Sequence, residues 1–190
     1  MTVAALTLAP VLGWAQTYFP SGVLANEGAV QKYSKFLAAM REPSLWELAQ
    51  RDPRAEAYRF LWLRSADHPV AVRLAIKPSG AGWLYGKMTG GNAETGPGGI
   101  RRWNMSWAWK SRVASFKSAW DGAGFWNLPT LDAAADGNAV CRSHWVLEGI
   151  RNGQYHVVDR CSPLPSDPVR AVGLQALKLA RFRIKAREVY

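Results

Sequence analysis

The chain has 190 residues, of which 48% are hydrophobic and 20% are charged. These values exclude a largely disordered chain, and the length suits a single domain with its own core. The 24 basic side chains exceed the 14 acidic ones and give a net charge of +10. This charge favours anionic partners, such as nucleic acid, phospholipid surfaces, acidic polymers or acidic proteins, without choosing among them.

The N-terminus predicts an export signal. The first 26 residues carry no charged side chain, and an apolar run leads into Gly13-Trp14-Ala15. Small residues at these spacings are typical of a cleavage site, so we expect a signal peptide over residues 1–15 and a periplasmic or secreted mature chain. No Lys or Arg precedes the run, which leaves open an ordered N-terminal segment of a cytoplasmic protein, or a membrane anchor. Pro and Gly interrupt the run, so no transmembrane span is expected in the mature chain.

The first half of the chain predicts two helices followed by strands. Apolar residues at helical spacing predict a helix over residues 28–40. Ser44 and Glu47 have the spacing of a capping box and predict a short helix that ends before Pro53. Apolar residues then alternate with a period of two in "EAYRFLWLRS" and "VAVRLAI", which predicts two strands joined by a turn at Asp67-His68-Pro69.

The second half predicts two more strands, a helix, a hairpin and a last helix. "WLYGKM" is expected to be a strand, and the Gly-rich "TGGNAETGPGGI" lacks the Lys and the glycine order of a phosphate-binding loop. In "IRRWNMSWAWK", four large side chains alternate onto one face of a strand, namely Trp103, Met105, Trp107 and Trp109. A helix capped by Ser111 follows, and Asp167-Pro168 begins a last helix that extends to about residue 182.

Strands dominate the middle of the chain, without the alternation of strands and helices that marks a parallel sheet. The sequence therefore predicts an α+β fold. We expect a single domain over residues 26–190, with an antiparallel sheet of about six strands and two or three helices packed on one face of it.

The stretch "HWVLEGIRNGQYHVVDRC" predicts a hairpin, because Asn152-Gly153 between two alternating runs is a strong signal for a two-residue turn. The predicted register opposes Gly149 to His156, Leu147 to Val158, Trp145 to Arg160 and Val146 to Asp159.

This register places polar side chains on two different faces. His156 and Arg160 lie opposite to Glu148 and Asp159, which argues against an acid–base pair of His156 with either carboxylate. Trp145 is expected to form a cation–π pair with Arg160.

Glu148 and Asp159 share a face, about 7–8 Å apart at the backbone. Two carboxylates at this range could serve hydrolysis, with His156 as a third candidate residue. The alternative interpretation is a solvated pair that keeps the sheet edge soluble.

Cys141 and Cys161 flank the hairpin and are expected to form a disulfide if the chain is exported. Cys161 lies opposite His144, which is three residues beyond Cys141, or about 10 Å along a regular strand. The segment before His144 must therefore bend for the bond to close. Cys141, His144 and Cys161 could also be metal ligands, but the spacing matches no zinc motif, so we expect no metal and no cofactor.

Three stretches together resemble a family of uncharacterised bacterial proteins that carry an N-terminal export or lipoprotein signal. They are "EPSLWELAQRDPRAEAYRFLWLRSADHPVAVRL", "FWNLP" and "WVLEGIRNGQYHVVDRCSP". The similarity covers about residues 42–182, and its most specific part is the W-x-L-E-G…Y-H-V-V-D-R-x-S-P hairpin. In that family a Trp commonly stands where this chain has Cys161. The resemblance implies export and this architecture, and it implies no activity, substrate or cofactor.

From charge and composition we expect a non-enzymatic exported binding protein whose basic, Trp-rich surface meets an acidic protein or an anionic envelope polymer. The predicted binding surface consists of Trp145, Glu148, His156, Arg160, Trp107 and Trp109. Two alternatives stay open. One is a hydrolase that uses Glu148 and Asp159. The other is an intracellular nucleic-acid-binding protein, if residues 1–15 are retained and the cysteines are reduced, although nucleic acid is the less favoured partner.

Overall fold

The computed structural model describes residues 16–132, 141–185 and 188–189, and the signal-peptide prediction for residues 1–15 lies outside them. The described chain forms one open antiparallel sheet of six strands with four α-helices, which confirms the α+β class and the strand number. In chain order the elements are α1 (Glu27–Ala39), α2 (Leu45–Arg51), β1 (Glu56–Arg64), β2 (Val70–Ile76), β3 (Gly82–Thr89), β4 (Ile100–Ala108), α3 (Lys110–Gly122), a 3₁₀ turn (Phe125–Asn127), β5 (Ser143–Arg151), β6 (Gln154–Cys161) and α4 (Pro168–Leu179).

The strand order is β4-β3-β2-β1-β5-β6. The first four strands form a meander, and the β5–β6 hairpin then joins the sheet beside β1 rather than beside β4. As a result β4 and β6 are the two edge strands, and β1 lies in the middle of the sheet, where its last eight residues are all buried.

Helices cover both faces of the sheet, so the expectation of helices on one face is wrong. Tyr58, Phe60 and Trp62 of β1 pack with α3 and α4 in the larger core. Leu61 and Leu63 of the same strand pack with α1 in a second core on the other side. Successive strand residues point to opposite faces, and the near-continuous apolar run of β1 reflects burial on both of them.

The second core extends upstream of residue 26, the expected start of the domain. Tyr18 and Phe19 are buried in it with Leu24, beside the residues of α1. The Tyr18 hydroxyl also donates to the Glu42 carbonyl at 2.8 Å. The segment before α1 is therefore part of the domain.

Local capping signals set most of the helix starts. Ser44 accepts from the Glu47 amide at 3.0 Å, and Asp167 accepts from the Val169 amide at 2.8 Å, as expected. The prediction for Ser111 is wrong. Helix α3 begins at Lys110, with Trp109 at the N-cap position and no side-chain cap.

Among the described residues, no helix combines the length and the apolar character that crossing a membrane requires.

Candidate functional site

The hairpin has the predicted register. Gly149 opposes His156, and Trp145 opposes Arg160, with Asn152 and Gly153 both at positive φ in the turn. His156 packs against Phe125 and donates from Nε2 to the Leu128 carbonyl at 3.0 Å, on the face that α3 and α4 cover. Since Glu148 lies on the opposite face, no acid–base pair with His156 can form.

Three of the predicted surface residues are in fact buried. Trp145 and Glu148 are 0% exposed and Arg160 is 6% exposed, so this part of the predicted binding surface is wrong. The physical reason is the position of β5 inside the sheet, between β1 and β6, with helices on both sides. The cation over the Trp145 ring is Arg170, at 5.8 Å, whereas the Arg160 guanidinium donates to main-chain carbonyls that include Pro129.

Glu148 is part of a buried ion pair rather than a solvated edge. Arg59, its direct neighbour on β1, donates to both of its carboxylate oxygens at 2.7 Å, and both side chains are fully buried. The Tyr155 hydroxyl donates to the same carboxylate at 3.0 Å. Complete burial raises the pKa of Glu148, and the attraction of Arg59 offsets part of this effect. A carboxylate held in this way cannot reach a substrate from solvent.

Glu42, just beyond α1, extends this cluster towards β2 and β3. Its carboxylate accepts from Arg73 Nε and Lys87 Nζ, both at 2.7 Å, and Arg59 lies 3.9 Å away. Burial would raise the pKa of Glu42, but Arg73, Arg59 and Lys87 together outweigh it and lower that pKa. In this cluster three cations, Arg59, Arg73 and Lys87, pair with the two carboxylates of Glu42 and Glu148 on the face of the sheet that α1 covers.

Asp159 belongs to a second polar cluster, which also joins residues distant in sequence. The Tyr33 hydroxyl donates to Asp159 Oδ2 at 2.6 Å, and its oxygen lies 2.8 Å from His144 Nδ1. His144 Nδ1 is also 3.4 Å from Asp159 Oδ1. Asp159 is 8% exposed, so the expectation of a solvated carboxylate pair is wrong for this residue too.

The predicted disulfide is present. Cys141 and Cys161 are bonded, with their Cα atoms 5.3 Å apart. Strand β5 begins only at Ser143, so Cys141 lies outside the ladder and the chain makes the bend that the register required. Within the described ranges, no three His, Cys, Asp or Glu side chains are grouped as a metal site.

The exposed aromatic surface lies elsewhere, along the edge strand β4 and its neighbour β3. We call it the aromatic strip. It consists of Trp83, Tyr85, Trp103, Met105, Trp107 and Trp109. Trp109 is 71%, Trp103 63% and Met105 49% exposed. The Trp107 ring makes edge-to-face contacts with Trp83 and Trp109, at 5.0 and 6.0 Å between ring centres. Of the predicted binding residues, Trp107 and Trp109 belong to this strip.

The strip exists because α1 covers only part of its face of the sheet. The second core ends at Ala71 of β2 on this side, and it includes no residue of β4. Between the end of α1 and β4 lies a groove of about 720 Å³, with Met40 and Arg41 on one wall and Ile100 and Trp103 on the other. Large exposed apolar side chains gathered in one place mark an interaction surface.

Cations border the strip at both ends. Arg41 is exposed, and Arg73 lies over the Tyr85 ring at 4.2 Å. At the other end Lys77 lies 5.6 Å from the Trp107 ring centre, and Lys110 is exposed beside Trp109. The strip is therefore both aromatic and electropositive.

The sequence contained signals for what was missed. The alternation in β4 already placed Trp103 and Met105 on the same face as Trp107. It did not indicate that this face is exposed. Arg59 and Glu148 are each flanked by uncharged, mostly apolar residues within a strand, which indicates that each needs a buried partner of opposite charge. Nothing local signals that Tyr33 of α1 meets the hairpin, because 111 residues separate it from His144.

Neither a protein-family model nor a curated protein is significantly similar to the chain. The bacterial family named above stays a prediction from the residues quoted for it.

Proposed function

We propose that the protein is an exported, non-enzymatic binding protein, and that its aromatic strip binds an anionic polysaccharide. The observation that carries the proposal is the exposure of Trp103 on the edge strand β4 and of Trp109 directly after it, in a strip bordered by cations. Indole rings offer flat apolar surfaces that can stack against the C–H faces of sugar rings, and the flanking cations can pair with carboxylate or phosphate groups between the sugars.

The shape of the strip favours a polymer over a globular partner. From Trp103 to Trp109 the strip is about 20 Å long, at about 3.3 Å per residue, and it is only one to two strands wide. A stable protein interface buries about 1,200–2,000 Å² in total, which needs a broader patch than this one. An extended chain that follows the strand can contact all of its rings.

Two further observations support the other parts of the proposal. The Cys141–Cys161 bond is typical of oxidising compartments, which supports export. Glu148 is sealed by Arg59 and Tyr155, which removes the main candidate residue of a hydrolase.

Binding can be measured by the quenching of Trp fluorescence during titration with polygalacturonate, with neutral dextran and single-stranded DNA as comparison ligands. We expect polygalacturonate to bind, more weakly at high salt, and dextran to bind far less. W103A and W109A should each weaken binding about tenfold or more, the usual effect of removing a central aromatic contact. R41A should weaken it less and reduce the salt dependence.

Leu164→Ala is the matched control, because Leu164 is 70% exposed but follows β6, at the opposite edge of the sheet. Equal binding of dextran, tighter binding of DNA at the strip, or full affinity in the Trp variants would each overturn the polysaccharide assignment. Hydrolysis of the polymer would overturn the non-enzymatic one. The intact mass of the protein from its native host tests export, since cleavage after Ala15 and loss of two thiol hydrogens are expected together.

A further inference from the structure

The disulfide lies against a polar cluster that a purely structural bond does not need. His144 Nε2 is 3.5 Å from Cys141 Sγ. Cys141, Cys161 and His144 are all half-buried, so none of the three is enclosed in the core. A disulfide that only stabilises the fold gains nothing from a neighbouring base.

The hydrogen bonds around His144 determine which of its ring nitrogens presents a lone pair to Cys141 Sγ. The Tyr33 hydroxyl gives its proton to Asp159 Oδ2, at 2.6 Å, and burial beside that carboxylate raises the pKa of Tyr33. Its oxygen can then only accept from His144 Nδ1, 2.8 Å away. The Nδ1 proton is held by Tyr33, with Asp159 Oδ1 also near, and Nε2 is left as the proton acceptor beside Cys141.

This order of groups is sulfur, imidazole and an orienting acidic group. It is the arrangement that activates a cysteine, because the imidazole takes the thiol proton and the third group holds the ring in place. Among the described residues, the titratable side chains hydrogen-bonded to the ring are Tyr33 from α1 and Asp159 from β6, and Cys141 lies beside Nε2.

We propose that Cys141–Cys161 is an exchange-active disulfide that oxidises thiols, with Cys141 as the leaving sulfur and His144 as its proton donor. The substrate class is a small-molecule dithiol. The exchange is stoichiometric, with one dithiol oxidised per chain, so it is compatible with a non-enzymatic binding protein and is independent of polysaccharide binding at the aromatic strip.

The exchange has two steps. A substrate thiol gives its proton to His144 Nε2 and its sulfur attacks Cys161 Sγ, so that a mixed disulfide forms as the Cys141–Cys161 bond breaks. The electron pair stays on Cys141 Sγ, where the leaving thiolate forms an ion pair with the imidazolium of His144 and shares its Nε2 proton. The second substrate thiol then attacks the mixed disulfide and frees Cys161 as a thiol. The dithiol loses two electrons and two protons, and the protein gains both.

The first test needs no variant. The oxidised full-length chain is mixed with reduced glutathione, quenched in acid, and the mixed disulfide is located by peptide mass spectrometry. We expect glutathione on Cys161. Glutathione mainly on Cys141 would overturn the assignment of the leaving sulfur.

The second test compares reduction rates with dithiothreitol at neutral pH, followed by acid quench and alkylation. H144Q removes the base and should slow reduction on the order of tenfold. The matched control is H156Q, the same change on the other face of the same hairpin, which should leave the rate unchanged. After reduction, the thiolate absorbance at neutral pH should be larger in the wild type than in H144Q. Equal reduction rates and equal thiolate absorbance in the wild type and H144Q would overturn the proposal and assign the disulfide a purely structural role.

Discussion

The buried ion pair between Arg59 and Glu148 allows a quantitative prediction, because both side chains are fully buried and each carboxylate oxygen accepts from the guanidinium. Replacing Arg59 by Met leaves the Glu148 carboxylate buried with the Tyr155 hydroxyl as its remaining donor. We expect a loss of about 3–5 kcal/mol in the free energy of unfolding, the usual cost of an uncompensated buried charge.

Replacing Glu148 by Met should cost less, near the lower end of that range. The stranded Arg59 keeps its hydrogen bond to the Pro43 carbonyl and still has Glu42 at 3.9 Å. The double variant removes both charges, and its main defects are the carbonyl of Pro43 and the hydroxyl of Tyr155, at about 1–3 kcal/mol each. Its total loss should therefore fall about 3 kcal/mol below the sum of the two single losses.

The measurement is urea denaturation of the four proteins, followed by Trp fluorescence and circular dichroism. Arg151 and Asp121 form a matched control pair, with their charged atoms 3.3 Å apart and side chains 33% and 49% exposed. A cycle on that pair should give a coupling below about 1 kcal/mol. A coupling energy below about 0.5 kcal/mol between Arg59 and Glu148 would refute the reasoning, because substitutions at independent sites are additive to within that amount.

Three further predictions concern stability. Burial lowers the pKa of His156 below 6.5 in the folded protein. Its contribution to the free energy of unfolding is therefore complete above pH 6.5 and is lost as the pH falls through the folded-state pKa. Denaturation measured over a series of pH values should show this slope, and H156Q should flatten it. In Gly173→Ala, the new Cβ would lie 2.6 Å from the Trp145 ring, so the clash should outweigh the gain in helix propensity and cost about 1–3 kcal/mol. Gly122→Ala, with open space around it, should stay within about 1 kcal/mol of the wild type, and equal melting temperatures for both variants would contradict the packing argument. Reduction of the disulfide, which spans 20 residues, should cost about 3 kcal/mol and lower the melting temperature by several degrees in calorimetry.

The sequence was sufficient wherever the physical cause is local. Asn152-Gly153 and the alternation around it predicted the hairpin register, because a two-residue turn with positive φ leaves one pairing for both strands. Ser44 and Asp167 predicted two helix starts for the same reason, since a cap satisfies amides two to three residues away. The disulfide was predicted from the two cysteines that flank the hairpin and from the expected export, and the register showed that the chain must bend before His144 for the bond to close.

The tertiary structure decided which side of each strand meets solvent, because that depends on elements far away in the chain. The hairpin joined the sheet at β1, so Glu148 met Arg59 and became buried, while β4 was left as an uncovered edge. Helix α1 covers the face only as far as β2, which leaves Trp103 exposed at the edge. Periodicity in the sequence predicts on which face of a strand a side chain lies. It does not predict whether another element packs on that face, because such packing joins distant segments whose contacts no local pattern encodes.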